Sequence, residues 1–225
     1  MSLDAAALRR MVEPCASRVD VWTRFAQETS ARAVAEIGVF RGDFAAALLE
    51  ACPDIETYYM VDPWRNLDDW NKPANRADKA FERFLAETLE KTSAHAGKRV
   101  ILRGRTTEVA HEIPDGSLDF AYVDGDHTLR GITIDLIRTW PKLRDGGWIG
   151  GDDFGRSIWQ HRDEFEPTLV FPFAVHFAEG MGTRIFALPY SQFLLEKGTA
   201  GFEFVDLTGH YGDRTLRQQL LQRRA

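Results

Sequence analysis

Cysteine is scarce in this chain, which has only Cys15 and Cys52 among 225 residues. Two cysteines give neither a disulfide framework nor the paired spacing of a cysteine-ligated metal site. No stretch approaches the roughly 18 uninterrupted apolar residues of a membrane span, and the N-terminus has no long apolar segment of the signal-peptide type. We therefore predict a cytoplasmic protein that does not act at a membrane.

Positive charge is not in excess either. The chain has 28 lysines and arginines against 34 aspartates and glutamates, which gives a formal net charge of −6. Because binding to a phosphate backbone needs a basic surface, nucleic acid is not expected as the main partner. The basic run at 214–224 alternates with leucine and glutamine, a pattern that favours the solvated face of a helix over a binding arm.

The sequence also lacks internal repeats and low-complexity segments. With 44% apolar residues it can bury an adequate core, and we predict one α/β domain over 1–225. Residues 4–30 should form an N-terminal helical cap that is broken near Pro14. The segments 63–97 and 154–182 are longer than simple connections and rich in aromatic residues, so we predict that both are insertions on the substrate side.

The stretch from 118 to 154 has the pattern of a strand, a helix and a second strand. Apolar runs at 118–123 and 147–151 each end in acidic residues. The intervening apolar residues recur at the spacing of an amphipathic helix; they are Leu129, Ile132, Leu136, Ile137 and Trp140. Such a unit places both strands parallel, so both acidic ends should lie at the same edge of the sheet.

That edge is where open α/β sheets bind their ligands. The side chains that converge there would be Asp124, Asp126, His127, Asp152 and Asp153. Each acidic end taken singly is typical of turn or capping chemistry. Carboxylates brought together repel one another unless a cation or a shared proton relieves them, and hard oxygen ligands suit Mg²⁺, Ca²⁺ or Mn²⁺. The pattern therefore indicates a divalent metal site, with His127 near enough to act as a general base.

A second motif follows the first predicted strand, at 33–39. In Glu36-Ile-Gly38-Val-Phe-Arg-Gly42 the glycines allow a sharp turn and a close approach to a ligand. The full GxGxxG of dinucleotide-binding proteins is missing, so NAD is not the first choice. The next strand, 57–62, ends in Asp62, whose carboxylate can accept hydrogen bonds from the two hydroxyls of a ribose. Together the turn and Asp62 favour a nucleoside site.

These successive strand ends resemble those of the class I S-adenosylmethionine-dependent methyltransferases, over nearly the whole chain. The resemblance implies a Rossmann-like α/β fold: a seven-stranded, mostly parallel sheet with helices on both faces and an antiparallel last strand. The runs at 183–188 and 202–207 suit the antiparallel closing pair. By resemblance, the cofactor S-adenosylmethionine would contact the residues at the strand ends, which are Glu36, Gly38, Gly42, Asp62, Gly104, Arg105, Thr106 and Asp124.

The fourth and fifth strand ends narrow the subgroup. Asp124 with Asp152 and Asp153 looks like the metal-ligand set of the catechol and caffeoyl-CoA O-methyltransferases, and implies Mg²⁺. Those enzymes have a lysine three residues after the first aspartate, whereas this chain has His127. In that respect the stretch is more similar to the macrocin O-methyltransferase type, methyltransferase 24, in which histidine is the proposed base. The resemblance implies metal-assisted methylation of a hydroxyl on a small molecule: a sugar, a macrolide or a phenol.

Three alternatives remain open from the sequence. The acidic residues could position an amine or a carbon in a metal-independent N- or C-methyltransferase. The chain could be a non-catalytic nucleotide-binding protein, although the complete acidic set argues against this. A nicotinamide oxidoreductase is disfavoured by the missing glycine pattern. A homo-oligomer is also possible.

Overall fold

The computed structural model describes residues 3–198 and 201–211, and the basic run at 214–224 lies outside them. The helices of this part are α1 Ala5–Val12, α2 Arg18–Glu28, α3 Asp43–Ala51, α4 Asp78–Lys91, α5 Thr106–Val109, α6 Leu129–Thr139 and α7 Val170–Met181. The strands are β1 Ala33–Ile37, β2 Thr57–Asp62, β3 Arg99–Arg103, β4 Leu118–Val123, β5 Leu143–Gly151, β6 Arg184–Leu188, β7 Gln192–Glu196 and β8 Glu203–Asp206.

The described strands form one sheet in the order β3-β2-β1-β4-β5-β7-β6-β8. Strands β1 to β5 pair in parallel, and β7 runs antiparallel to both β5 and β6. The chain reverses its direction across the sheet between β3 and β4, so the ends of β1 and β4 lie side by side. This is the topological switch point at which α/β sheets bind ligands. The predicted Rossmann-like methyltransferase fold is confirmed.

The closing strands differ in detail from the prediction. The antiparallel partner is β7, which the sequence reasoning missed, while the run at 202–207 contains an eighth strand that pairs in parallel with β6. The hairpin from β6 to β7 turns through Tyr190 and Ser191, which have φ angles of 63° and 57°. Such mirror-image turns are usually recognised by asparagine or glycine, and neither residue stands at these positions.

Helices cover both faces of the sheet, as predicted. On one face, α1 to α4 bury residues such as Leu8, Trp22, Leu48 and Phe81 in a single apolar cluster. On the other, α5, α6 and α7 pack a second cluster around Ile132. None of the described helices combines the length and apolar character needed to cross a bilayer.

The N-terminal helices and the two predicted insertions surround the carboxyl edge of the parallel strands. The predicted cap is a pair of helices, and α2 begins where the Ser17 hydroxyl accepts a hydrogen bond from the backbone N–H of Asp20 (3.1 Å). This cap sets Arg18 in the first turn, above the ends of β4 and β5. The two predicted insertions, 63–97 and 154–182, contact each other where Lys72 Nζ donates to the carbonyl of Glu166 (2.8 Å).

Candidate active site

A cleft of about 490 Å³ opens at the carboxyl edge of the parallel strands. Most of the residues predicted to form the site line it, namely Glu36, Gly38, Asp62, Gly104, Arg105, Thr106, Asp124, His127 and Asp153. Gly42 and Asp152 are not among its lining residues. The topology therefore brings together side chains that are up to about half the chain apart in sequence.

The glycine turn after β1 forms the floor of this cleft. Gly38 has a φ of 91°, and a Cβ at this position would lie 2.6 Å from Gly125 Cα. Only glycine allows the loops after β1 and β4 to approach this closely. Hydrogen bonds from Gly38 N to the Val61 carbonyl (2.8 Å) and from Asp124 N to the Ile37 carbonyl (2.7 Å) fix the three strand ends together.

Gly42 has a packing role between two helices. Its φ is 74°, and a Cβ would meet the backbone and side chain of Thr88 at 2.8 Å. Gly42 thus lets the start of α3 approach α4. A cofactor contact at this position stays a prediction, because the neighbouring residues Arg41 and Asp43 do line the cleft.

Asp62 holds the glycine turn in shape. Its Oδ2 accepts from the backbone N–H groups of Val39 (3.0 Å) and Phe40 (2.8 Å), and its Oδ1 accepts from that of Trp64 (2.7 Å). Burial raises the pKa of Asp62, and these backbone hydrogen bonds oppose the rise. A carboxylate has about four acceptor positions, so one is left for a ribose hydroxyl.

Glu36 is a buried carboxyl on the cleft wall. Burial raises its pKa well above the usual range, although the hydrogen bond from the Tyr58 hydroxyl to Oε2 (2.8 Å) favours the charged form. Repulsion from Asp124 and Asp62 adds to the rise in the pKa of Glu36. Burial and these neighbouring carboxylates therefore favour the protonated form of Glu36, which can donate a hydrogen bond as well as accept one.

The loop at 63–77 covers the side of the cleft formed by the ends of β3 and β4. Asp69 forms an ion pair with Arg105 and lies 3.4 Å from Arg130. Trp70 Nε1 donates to Asp126 Oδ1 (3.0 Å). These contacts tie an aromatic residue of the first insertion to the strand ends, so the loop encloses the cleft.

An arginine lies within the acidic cluster. Arg18 Nη1 donates to Asp124 Oδ2 (2.8 Å), to Asp152 Oδ2 and to the Tyr122 hydroxyl (3.2 Å). Burial raises the pKa of Asp152, and repulsion from Asp124 adds to the rise, which Arg18 opposes. Gln192 Nε2 donates to the other oxygen of Asp152 (2.6 Å). Asp152 is therefore held by protein groups behind the cleft surface.

His127 connects two of the carboxylates. Its Nδ1 donates to Asp153 Oδ2, and its Nε2 lies 3.3 Å from Asp124 Oδ1. Nε2 is buried and has no well-aligned hydrogen-bond partner. Burial lowers the pKa of His127, but the bonds to Asp124 and Asp153 outweigh this and raise it to about 10. The two carboxylates thus favour the protonated imidazole.

The arrangement agrees with the comparison to known families. A family model described as a methyltransferase domain, of the methyltransferase 24 type, matches residues 35–154, which is more than half of the chain. The chain belongs to this methyltransferase family. The prediction of a class I S-adenosylmethionine-dependent methyltransferase is confirmed. No match was found among curated proteins.

Solved structures similar to this methyltransferase support the fold. A candidate caffeoyl-CoA O-methyltransferase from Staphylococcus aureus is 14% identical with a TM-score of 0.60, over 88% of this chain and 93% of its own. The O-methyltransferase TomG from Streptomyces achromogenes, involved in tomaymycin synthesis and solved with S-adenosylmethionine, is 15% identical with a TM-score of 0.55, over 88% and 92%. The methyltransferase PaMTH1 from Podospora anserina, bound to S-adenosylhomocysteine, is 14% identical with a TM-score of 0.56, over 86% and 82%.

The carboxylates of this methyltransferase do not fit the predicted Mg²⁺ as they stand. Arg18 Nη1 lies between Asp124 and Asp152, where an ion would have to bind both, and Asp153 is paired with His127. Among the residues that the structure describes, no group of three or more histidine, cysteine, aspartate or glutamate side chains is arranged to hold a metal ion. We therefore assign no step of the reaction to a metal.

Arg18 and Asp135 are among the charged residues of the site that sequence reasoning missed. Arg18 lies in a helix that was predicted only as a cover, and its partners are more than 100 residues away. Asp135 lies on α6 and lines the cleft, where its Oδ1 accepts from the Thr106 hydroxyl (2.6 Å). The sequence carries one weak signal for Asp135, a carboxylate within the apolar pattern of an amphipathic helix. For Arg18 it carries none.

Proposed function

We propose that this methyltransferase transfers the methyl group of S-adenosylmethionine to a hydroxyl oxygen of a small-molecule acceptor. The observation that carries the proposal is the pair formed by Asp153 and His127, whose buried Nε2 lacks an aligned partner at the cleft that also contains the glycine turn. A carboxylate on Nδ1 and an Nε2 that the reacting hydroxyl can approach are the arrangement in which histidine takes a proton from a hydroxyl nucleophile.

The cofactor would lie along the ends of β1, β2 and β3. The turn at Gly38 allows close approach, Asp62 has an acceptor position left for the ribose, and Glu36 offers a buried carboxyl whose pKa is raised. Gly104 and Thr106 border the same wall. When bound, S-adenosylmethionine supplies a methyl group on a positively charged sulfur, which makes it a good electrophile.

His127 would act once the acceptor has entered. A hydroxyl bound between Nε2 and the Asp124 carboxylate would separate the two groups, which lowers the pKa of the imidazole, and the proton on Nε2 would be released to solvent. The neutral imidazole then takes the hydroxyl proton onto Nε2 while Asp153 stabilises the positive ring. As the new oxygen–carbon bond forms, the sulfur–carbon bond breaks, and S-adenosylhomocysteine leaves. The cleft contributes mainly proximity and alignment.

The residues that line the cleft support the proposed class of acceptor. Phe40 and Trp70 border it and offer flat surfaces for a phenol or a sugar ring, and the enclosed cleft suits a small molecule. We further propose that the chain acts as one cytoplasmic domain, without nucleic acid or a membrane as partner. The loop 63–77 and the region after β5 would form the substrate side.

Two measurements test this proposal. Calorimetric titration with S-adenosylhomocysteine should show saturable binding, and a panel of phenolic and sugar hydroxyls should identify an acceptor. Changing His127→Ala or Asp153→Asn should leave S-adenosylhomocysteine affinity within about threefold and reduce kcat by about 100-fold or more. His176→Ala is the matched control, because this histidine is exposed on α7 and pairs with Glu179 away from the cleft.

The outcomes distinguish a wrong assignment of the cofactor from a wrong assignment of the catalytic base. Absence of S-adenosylhomocysteine binding would refute the methyl-transfer proposal as a whole. Binding with normal turnover by His127→Ala would retain the methyltransferase and remove His127 from the reaction. The metal-independent N- or C-methyltransferase would be recognised by turnover on amine or carbon acceptors alone.

A further inference from the structure

The Arg18 guanidinium occupies the position where a divalent ion would join the ends of β4 and β5. One nitrogen, Nη1, donates to Asp124 Oδ2, Asp152 Oδ2 and the Tyr122 hydroxyl. Two carboxylates and a neutral oxygen around one point are also the kind of donor set that a hard cation prefers. In this protein a cation of the chain itself already fills that point.

Three further carboxylate oxygens of the cluster are engaged as well. Asp152 Oδ1 accepts from Gln192 Nε2 (2.6 Å) and from the backbone N–H of Asp153 (2.7 Å). Asp124 Oδ1 faces His127 Nε2, and Asp153 Oδ2 accepts from His127 Nδ1. An ion that joined Asp124 to Asp152 would have to displace the positively charged side chain already bound between them.

The arginine is held in place by its own helix. Trp22, one turn further along α2, donates from Nε1 to Gln192 Oε1 (2.7 Å), to which the Tyr122 hydroxyl also donates (3.3 Å). This fixes the amide of Gln192 so that its NH₂ group faces Asp152. The helix that carries Arg18 is therefore anchored to the same network that orients the carboxylate.

We propose that Arg18 is a positioning residue that replaces the divalent metal ion in this methyltransferase. Its charge compensates Asp124 and Asp152 and holds Asp124 in the place beside which the acceptor binds, so methyl transfer does not depend on an added divalent ion. The inference rests on the proposed function of this site. A guanidinium remains charged at every accessible pH, so the compensation is permanent.

Manganese binding tests this directly, without a known acceptor. Mn²⁺ is titrated into the metal-stripped protein in the presence of S-adenosylhomocysteine, and free Mn²⁺ is followed by electron paramagnetic resonance. The wild-type protein should show no stoichiometric site up to about 1 mM Mn²⁺, which is the weak end of protein cation sites. Arg18→Ala should gain one site per chain, at least about tenfold tighter, because two unpaired carboxylates remain.

Three variants complete the experiment. Arg24→Ala removes an exposed arginine from the same helix and should behave as the wild type. Arg18→Lys retains a positive charge and should gain no site. Arg18→Ala/Asp152→Asn should lose the site that Arg18→Ala gains. Once an acceptor is known, wild-type turnover should change less than about twofold with a chelator, whereas turnover of Arg18→Ala should fall and be partly restored by Mn²⁺.

A stoichiometric Mn²⁺ site in the wild type that Asp152→Asn removes would overturn the inference. A lack of Mn²⁺ binding in folded Arg18→Ala would also overturn it, since Arg18 would then not be what fills a cation site. If Arg18→Ala fails to fold, Arg18→Gln replaces it, and the wild-type titration still decides the first outcome. Binding of S-adenosylhomocysteine in the same samples reports separately on the proposed function.

Discussion

Asp135 makes the stability of this protein depend on pH in an unusual direction. Its side chain is only 6% exposed, and burial, reinforced by the charge of Asp126, raises its pKa from 3.8 to about 7. Hydrogen bonds from Thr106 and from the backbone of Asp126 oppose the rise without cancelling it. Between pH 4 and 7 the folded protein therefore holds a proton that the unfolded chain has lost.

The sign and size of the effect follow from this difference. Since the folded state binds more protons, its stability falls as the pH rises through this window and stays lowered above it. A difference of about three pKa units at 1.36 kcal/mol per unit corresponds to about 4 kcal/mol of stability. Asp135→Asn removes the ionisation but loses one hydrogen bond, at a cost of about 1 kcal/mol. The variant should thus be more stable than the wild type by about 3 kcal/mol at pH 8.

Urea unfolding between pH 4.5 and 9 measures this effect. The two proteins should diverge progressively as the pH rises to about 7 and then run parallel. Asp119→Asn is the control of opposite sign. The effect of burial on Asp119 is outweighed by hydrogen bonds from Ala33, Arg144 and Arg32, so the pKa of Asp119 is lowered and its carboxylate stabilises the protein at neutral pH. If Asp135→Asn and the wild type keep a constant difference throughout the range, Asp135 does not ionise with a raised pKa and the reasoning is wrong.

Two further changes test the floor of the cleft. Gly38→Ala should lower the free energy of unfolding by about 2 to 4 kcal/mol, through an unfavourable φ and a clash with the loop after β4, and it should abolish S-adenosylhomocysteine binding. The control Gly97→Ala, which has open space around it, should change neither property. Equal effects of the two variants in urea unfolding and in calorimetry would contradict this account. Asp62→Ala leaves three backbone N–H groups without an acceptor and should cost about 3 kcal/mol or more. Asp62→Asn retains one oxygen and should cost less; if the two variants are equally stable, Asp62 does not hold the turn.

The parallel strands could be predicted from the sequence, because they are determined by patterns of neighbouring residues. The bounds of β2 and β4 agree with the predicted runs at 57–62 and 118–123. A strand buried on both faces is a short apolar run, and each of these runs is closed by a polar loop. The common edge of the acidic ends then follows from the handedness of the crossover alone. Neither step needs knowledge of side-chain packing.

What could not be predicted depends on contacts between distant parts of the chain. The pairing of Arg18 with Asp124 and Asp152 requires the position of α2 over the sheet, which no local pattern encodes. The same applies to Asp152, whose orientation is set by Gln192 on a strand that the sequence reasoning missed. Gly42 was recognised from the sequence as a special position, but its close contact with α4 depends on packing that the sequence does not reveal.

The position of α2 itself depends on a glycine inside β5. A Cβ on Gly150 would overlap the indole ring of Trp22, so the glycine allows the helix to lie directly on the strand. Trp22 stacks on Phe120 of β4 with ring centroids 5.1 Å apart, and both contacts keep the first turn of α2 above the ends of β4 and β5. A glycine in a strand often marks a close approach. Here that approach determines the charge of the active centre, because it brings Arg18 to the two carboxylates.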